Sequence, residues 1–362
     1  MKAIYGVPVV AALVYRAWSK KSLTPLGLVV AGLSATAHAL HPWSTPFALL
    51  AVFYFGGTKA TKVKHDIKAR LTLSSTGTDG GEGARNHIQV LANSVVATVL
   101  SIAHACVLSK APSTDSCFSF GNSAADILMV GIVANYAVVA ADTFSSELGI
   151  LSKSKPRLIT SLNLREVPPG TNGGVTATGL GAGLLGSFTI ALTSAISLPF
   201  CAERSGFRDR ALWVVAISCW GLMGSVLDSV LGGLLQASVV DKRSGKIVEG
   251  NGGRKVLVHP GSTQPSGISA QHAPSGESTG SSQLKELETV ANTTSLRGTR
   301  ATGTSAGAQP GHEDSHESRR IESGHDWLDN NGVNLLMAVL MSVGAMGIAQ
   351  WTWGVDIQDL FV

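Results

Sequence analysis

The chain has 362 residues, of which 44% are hydrophobic and only 14% charged, with 41 glycines and a formal net charge of +4. A soluble globular domain carries about a quarter charged residues. Here the charges cluster in a few loops between long neutral runs, which excludes an ordinary soluble enzyme and indicates an all-α, polytopic integral membrane protein with no nucleic-acid partner.

A helix needs about 20 apolar residues to cross the hydrocarbon core. In chain order, candidate spans lie near residues 3–18, 24–40, 43–57, 87–108, 123–141, 173–198, 211–238 and 333–353. The first three are short or close together, so the expected count is seven or eight. The first run has its basic residues after it and no small-residue cleavage site, so it reads as an anchor rather than a cleaved signal peptide. With eight spans and the N-terminus outside, the inner connections carry eighteen lysines and arginines against five on the outer side, from Arg16 in the first inner connection to Lys255 in the last. That bias makes the basic face cytosolic and both termini lumenal or extracellular. Cys117 and Cys201 fall in outer loops, where a disulfide could form, but isolated cysteines near spans are more often small packing residues. Cys106 and Cys219 have no metal-like spacing to them.

Residues 1–258 form the expected membrane domain, ending in a short cytosolic hairpin at 239–258 to which no chemistry is assigned. Residues 259–325 are rich in Ser, Thr, Gly, Gln, His and charge, and cannot bury enough surface to offset the entropy of ordering, so they read as a disordered cytosolic insertion. Its Asn292-Thr293-Thr294 sequon should stay unglycosylated on this topology. Residues 326–362 hold the final span. The glycine-rich stretch 71–84 reads as a flexible inner-face loop.

Several motifs lie at the basic face. Gly181 to Gly186 fits the dinucleotide pattern G-x-G-x-x-G, but it lies inside an uncharged span, where Gly179 and Gly183 serve close helix packing instead. Lys59, Thr61 and Lys62 follow the third span; they read either as a positive-inside anchor or as an anion site. Asp142 and Glu147 flank Thr143, Ser145 and Ser146. On a continuing helix the two carboxylates would lie about 140° apart and could share a face only if the helix broke between them. Asp142 at the membrane edge is a candidate Mg²⁺ ligand. The turn Pro168 to Gly174 offers backbone N–H groups at a helix start to phosphate, with Thr171, Asn172, Gly173 and Gly174 as contacts. Asp228 is the only charge between Ala211 and Ser238, with Ser225 one turn before it, and so needs a partner or a role. Asp326, Asp329, Asn330, Asn331 and Asn334 open the final span, where aspartate and asparagine also serve as N-caps.

Six motifs occur in one order: F-x-G-T-K-A-T-x-x-K, the run from Arg85 to Asn93, A-D-T-x-x-S-E-L-G, P-x-G-T-N-G-G-V-T, G-S-x-x-D-S-x-L-G and D-N-N-x-V-N-L. Together they resemble the transmembrane protein 19 family, which includes the plant phytyl-phosphate kinase. The resemblance covers about residues 24–258 and 326–353. It implies a multi-pass helical fold and, from the plant member, phosphorylation of an isoprenoid monophosphate to its diphosphate. A-D-T-x-x-S is also similar to a motif of dolichol and phytol kinases, which use CTP.

The reading this supports is a lipid-phosphate kinase using CTP or ATP and Mg²⁺ on a membrane lipid or prenyl phosphate, in the endoplasmic reticulum. Asp142 and Asp228 would hold Mg²⁺. Lys59, Lys62 and Arg85 would neutralise phosphate beside Thr61, Ser225, Asn330 and Asn331, the 171–174 turn would cradle oxygens, and Glu147 or Asp329 would orient the acceptor. The alternatives are a transporter or lipid carrier, for which the deeper polar residues Asn93, His104 and Asn135 speak, and a structural membrane protein without catalysis.

Overall fold

The computed structural model describes residues 3–81, 83–110, 117–204, 206–256, 258 and 318–355. The expected insertion lies outside the described residues up to residue 317, and the sequon with it. Eight long helices occupy the eight apolar windows: α1 Ala3–Ser19, α2 Pro25–Ala39, α3 Thr45–Lys62, α5 His87–Lys110, α6 Ala125–Gly149, α7 Ala177–Ser197, α8 Phe207–Leu235 and α9 Asn330–Trp353. A short helix, α4 His65–Ala69, follows α3. The protein is thus mainly helical, as its composition implies. The expected count of seven or eight spans is not reached by length and hydropathy alone. Among the described residues five helices, α5 to α9, are long and apolar enough to cross a membrane, whereas α2 has only 15 residues.

Helix starts follow local chemistry. Thr24 caps α2 through Gly27 N–H with Pro25 in its first turn, Thr176 caps α7 through Gly179 N–H, and Asp329 caps α9 through Gly332 N–H. At α5, Asn86 Oδ1 accepts from Ile88 and Gln89 N–H while Gln89 Oε1 accepts from Asn86 N–H, a reciprocal cap.

The core is built around α6. Its run from Ala125 to Ala141 is apolar on every side apart from Asp126, Asn135 and Tyr136, and every residue in it is buried. Glycines let α7 and α8 approach it closely. A Cβ on Gly186 would stand 2.6 Å from the Ala140 carbonyl, and one on Gly221 would stand 2.9 Å from that of Ala137. The G-x-G-x-x-G run therefore packs helices, as expected of its uncharged setting.

The outer end is closed by rings. Phe118, Phe120, Phe200, Trp213 and Trp353 pack edge to face or stacked, with centroids 5.0–6.3 Å apart. Beside them Cys117 and Cys201 form a disulfide across 84 residues of chain. The packing reading of these two cysteines is corrected: Phe118 and Phe200 pair as a parallel bridge and so bring the adjacent cysteines together.

The inner face carries a four-stranded sheet in the order β1 (Leu73–Ser74), β5 (Ile247–Glu249), β4 (Ser238–Asp241), β6 (Arg319–Ser323), and a pair of β2 (Arg157–Leu158) with β3 (Gly174–Val175). β4 and β5 form the expected hairpin. β6 lies in the stretch expected to be disordered. Its single large apolar residue, Ile321, is lost in the average composition, and its order comes from pairing with β4.

Candidate functional site

Between the inner ends of the helices lies a cavity of about 750 Å³. Asp142 and Asp228 line it, and their carboxyl groups face each other within hydrogen-bond reach. Each sits seven residues before the end of its helix, α6 or α8, so the pair lies roughly 10 Å below the helix ends. Asp228 Oδ1 is shut off from solvent and accepts no hydrogen bond. Two carboxylates in contact repel unless a cation lies between them or a proton is shared. Ser145, Ser146 and Ser229 line the cavity nearby.

Glu147 lines the cavity on another side. Because α6 runs unbroken to Gly149, Glu147 diverges from Asp142 and meets α3 and α4 instead. Its Oε1 accepts from Thr61 Oγ1 at 2.9 Å, and its Oε2 accepts from Lys68 Nζ at 2.5 Å. Lys68 also donates to the Ala60 and Thr61 carbonyls, so one ammonium closes the C-terminus of α3 and neutralises Glu147. The left-handed turn at Lys64 (φ 47°) folds α4 back to make this possible. Arg85 donates to Thr61 Oγ1 at 3.0 Å and stands 3.9 Å from Glu147, with its side chain still lining the cavity. Both Glu147 oxygens are therefore engaged by protein donors, which suits a residue that positions Lys68 and Arg85 better than one that orients an acceptor.

Lys59 and Lys62 are exposed and do not line the cavity; the cations that do are Lys68, Arg85 and, at the rim, Arg254 and Lys255. Ser225 is buried against α7 near Gly183 rather than in the cavity. Asp329, Asn330 and Asn331 line it, with Asp329 also acting as the α9 cap and Asn331 donating to Gly252 O.

The turn from Pro168 to Gly174 lines the cavity, with the N–H groups of Thr171, Asn172 and Gly174 engaged within the protein. Thr171 N–H donates to Pro168 O, Asn172 N–H to Ser238 Oγ and Gly174 N–H to Thr171 O, and the Thr171 hydroxyl also donates to Pro168 O. Gly173, at φ 77°, abuts α8 so closely that an added Cβ would be 2.8 Å from Gly233 Cα. The turn thus secures the end of α8 below Asp228.

Two features of the site were missed by sequence reasoning. Nothing local sets Lys68 apart from the basic residues around it; only the fold-back of α4 does. The Asn251–Gly253 turn after β5 roofs the cavity, where a Cβ on Gly252 (φ 66°) would come 2.4 Å from Asn86 Nδ2. Its paired glycines were a legible signal of backbone at positive φ.

Among the described residues no group of three or more His, Cys, Asp or Glu side chains gathers to cage a metal. Two facing carboxylates with one unpaired oxygen fit an ion that takes its remaining ligands from phosphate and water.

No solved structure matches the chain. The PGR protein of Arabidopsis thaliana is 38% identical over 240 residues, 66% of this chain and 80% of its own length. An uncharacterized membrane protein of Methanocaldococcus jannaschii is 38% identical over 108 residues, 30% of this chain and 40% of that protein. The chloroplastic VTE6 protein of Arabidopsis thaliana is 31% identical over 175 residues, 45% of this chain and 47% of that protein. The model of the integral membrane protein family DUF92 matches residues 8–342. The chain therefore belongs to the DUF92 family of integral membrane proteins, in agreement with the resemblance of its motifs to the transmembrane protein 19 family.

Proposed function

We propose that this protein is a membrane phosphotransferase that moves the terminal phosphoryl group of CTP or ATP onto a prenyl monophosphate at the inner-face cavity, with Mg²⁺ as cofactor. The observation that carries this reading is the facing Asp142 and Asp228 pair at the base of a polar cavity, with an unpaired carboxylate oxygen.

Phosphoryl transfer asks the protein for alignment and charge stabilisation rather than covalent chemistry. Bound Mg²⁺ would neutralise charge on the phosphate oxygens, held by Asp142 and Asp228. Arg85, fixed by Thr61 and Glu147, presents a guanidinium to the cavity, where it can pair with phosphate oxygens. An oxygen of the acceptor monophosphate attacks the terminal phosphorus, the bond to the bridging oxygen breaks, and a diphosphate lipid and a nucleoside diphosphate leave. The cavity lies at the membrane edge, so a prenyl tail can stay between helices while its phosphate reaches the carboxylates.

A transporter finds less support. The buried polar groups Asn135 and His104 lie above the cavity, but the aromatic layer and the disulfide close the outer end beyond them. In this reading the host membrane is the endoplasmic reticulum, which cell fractionation tests separately.

The deciding experiment incubates the purified protein in detergent with labelled CTP or ATP, Mg²⁺ and a panel of prenyl monophosphates. Mg²⁺-dependent formation of a labelled diphosphate is expected. Absence of product across all nucleotide and acceptor pairs, from protein that is folded and monodisperse, overturns the reading.

A further inference from the structure

The cavity has two sides of different chemistry. On α6 and α8 it shows carboxylates and hydroxyls: Asp142, Ser145, Ser146, Asp228 and Ser229. On α5 and α9 it shows amides. Asn86, Gln89 and Asn93 fall at i, i+3 and i+7 on one face of the α5 start, and Asn330, Asn331 and Asn334 open α9.

These amides divide by what already holds them. Asn86 and Gln89 cap α5 reciprocally, and Asn331 donates to Gly252 O in the roofing turn. Asn93 and Asn334 lie a turn deeper on their helices. Asn93 Nδ2 donates to Gln89 O, while its Oδ1 accepts no hydrogen bond among the described residues. The Asn334 amide makes no hydrogen bond among the described residues, although its side chain lines the cavity. An acceptor and a full amide are thus presented to the interior with no structural task.

Phosphate oxygens only accept hydrogen bonds, and cations recognise them best. An uncharged group offering both an acceptor and a donor matches a partner that displays both side by side, which is the edge of a nucleobase. The volume agrees, since sites for molecules of this size run from about 300 to 1,000 Å³.

We propose that Asn93 and Asn334 read the base edge of the nucleotide whose phosphates face Asp142 and Asp228, and so set its base preference. This rests on the phosphotransferase reading above.

The test measures Mg²⁺-dependent binding of CTP, ATP and inorganic tripolyphosphate to the full-length protein in detergent, for wild type and for Asn93→Leu and Asn334→Leu. Leucine keeps the approximate shape of asparagine and removes its hydrogen bonds. Wild type should bind one nucleotide more tightly than tripolyphosphate. Each variant should weaken that nucleotide about three- to tenfold and narrow the gap between CTP and ATP, with tripolyphosphate affinity retained. Retained tripolyphosphate affinity also shows that the variants fold. Unchanged nucleotide preference, or equal loss of tripolyphosphate and nucleotide, overturns the assignment. Wild type that binds no nucleotide overturns the phosphotransferase reading instead, and this inference falls with it.

Discussion

At the outer end of the bundle five aromatic rings pack against one another beside the Cys117–Cys201 disulfide, while at the inner end three helix starts and two acidic helix turns surround an open polar cavity. The outer end resembles a soluble core: its buried carboxylate, Asp126, accepts from Ser119 N–H, Ser119 Oγ and Gly121 N–H and so closes a loop. At the inner end Asp142 and Asp228 face each other with no ion pair to either among the described residues, and Asp228 Oδ1 is left without a donor. Burying charge without a partner costs several kcal/mol. The fold packs donors around Asp126 and engages both oxygens of Glu147, whereas the Asp142 and Asp228 pair lies on the open cavity, which marks that pair as the place for a ligand. Order at one end is thus what lets the other end stay incomplete.

The largest effect should come from that pair. Asp228→Asn and Asp142→Asn keep size and hydrogen bonding but remove charge, so transfer activity should fall on the order of 10²-fold or more while the detergent-solubilised protein stays monodisperse. The double variant should lose little beyond either single one, because groups acting as a unit are not additive. Unchanged Mg²⁺ dependence in Asp228→Asn would leave a shared proton as the better account of the contact.

The outer end should respond in stability and not in chemistry. Replacing Cys117 and Cys201 by serine removes a closure over 84 residues, worth about 2–4 kcal/mol, so the thermal midpoint should fall. Mg²⁺-dependent nucleotide binding measured below that midpoint should be unchanged. A binding defect in the folded serine variant would mean that the two ends are coupled and would break the contrast drawn here.

Lys68→Met probes the inner end between these extremes. It removes a cation from Glu147 and from two carbonyls of α3, and losing one member of a largely buried pair costs about 3 kcal/mol. Arg85 remains within reach of Glu147, so some compensation is expected. The readout is both stability and tripolyphosphate affinity. Glu147→Gln should partly rescue Lys68→Met, since the carboxylate left without its ammonium is then neutral. A failure of rescue would point to a direct role for Lys68 at the ligand.

Much of this was legible in the sequence, for reasons that differ by element. Helix positions follow from apolar runs bounded by Thr24, Thr176 and Asp329, because length and capping are local. Asp142 and Asp228 stood out as charges in neutral runs, and each alone pointed to a role. Their contact was not legible, because it depends on how α6 and α8 pack through Gly221 and Gly224. Lys59 and Lys62 attracted attention over Lys68 for lack of any local sign that α4 folds back. Asn93 and Asn334 carry an ordinary helical spacing whose meaning appears only when α5 and α9 face one cavity.

The smallest effect concerns the boundary of the insertion. Composition alone suggests that residues 259–325 add no packing, whereas β6 within that stretch pairs with β4 through Arg319, Arg320, Ile321 and Ser323. At Asp241 in β4, burial would raise the carboxyl, but hydrogen bonds from Ser318 and Ser244 outweigh it and hold it below the ordinary carboxylate value. A group lowered on folding contributes stability above its unfolded value, near 3.9, and loses it as pH falls through its folded one. Deleting 261–315 should therefore leave expression, thermal midpoint and nucleotide binding close to those of the full chain at pH 7. Extending the deletion to 323 removes Ser318 and the whole of β6, so Asp241 loses a donor and β4 an edge partner. That longer deletion should lower the midpoint slightly and flatten its decline between pH 5 and pH 3. Equal behaviour of the two deletions would show that β6 contributes nothing to the inner face.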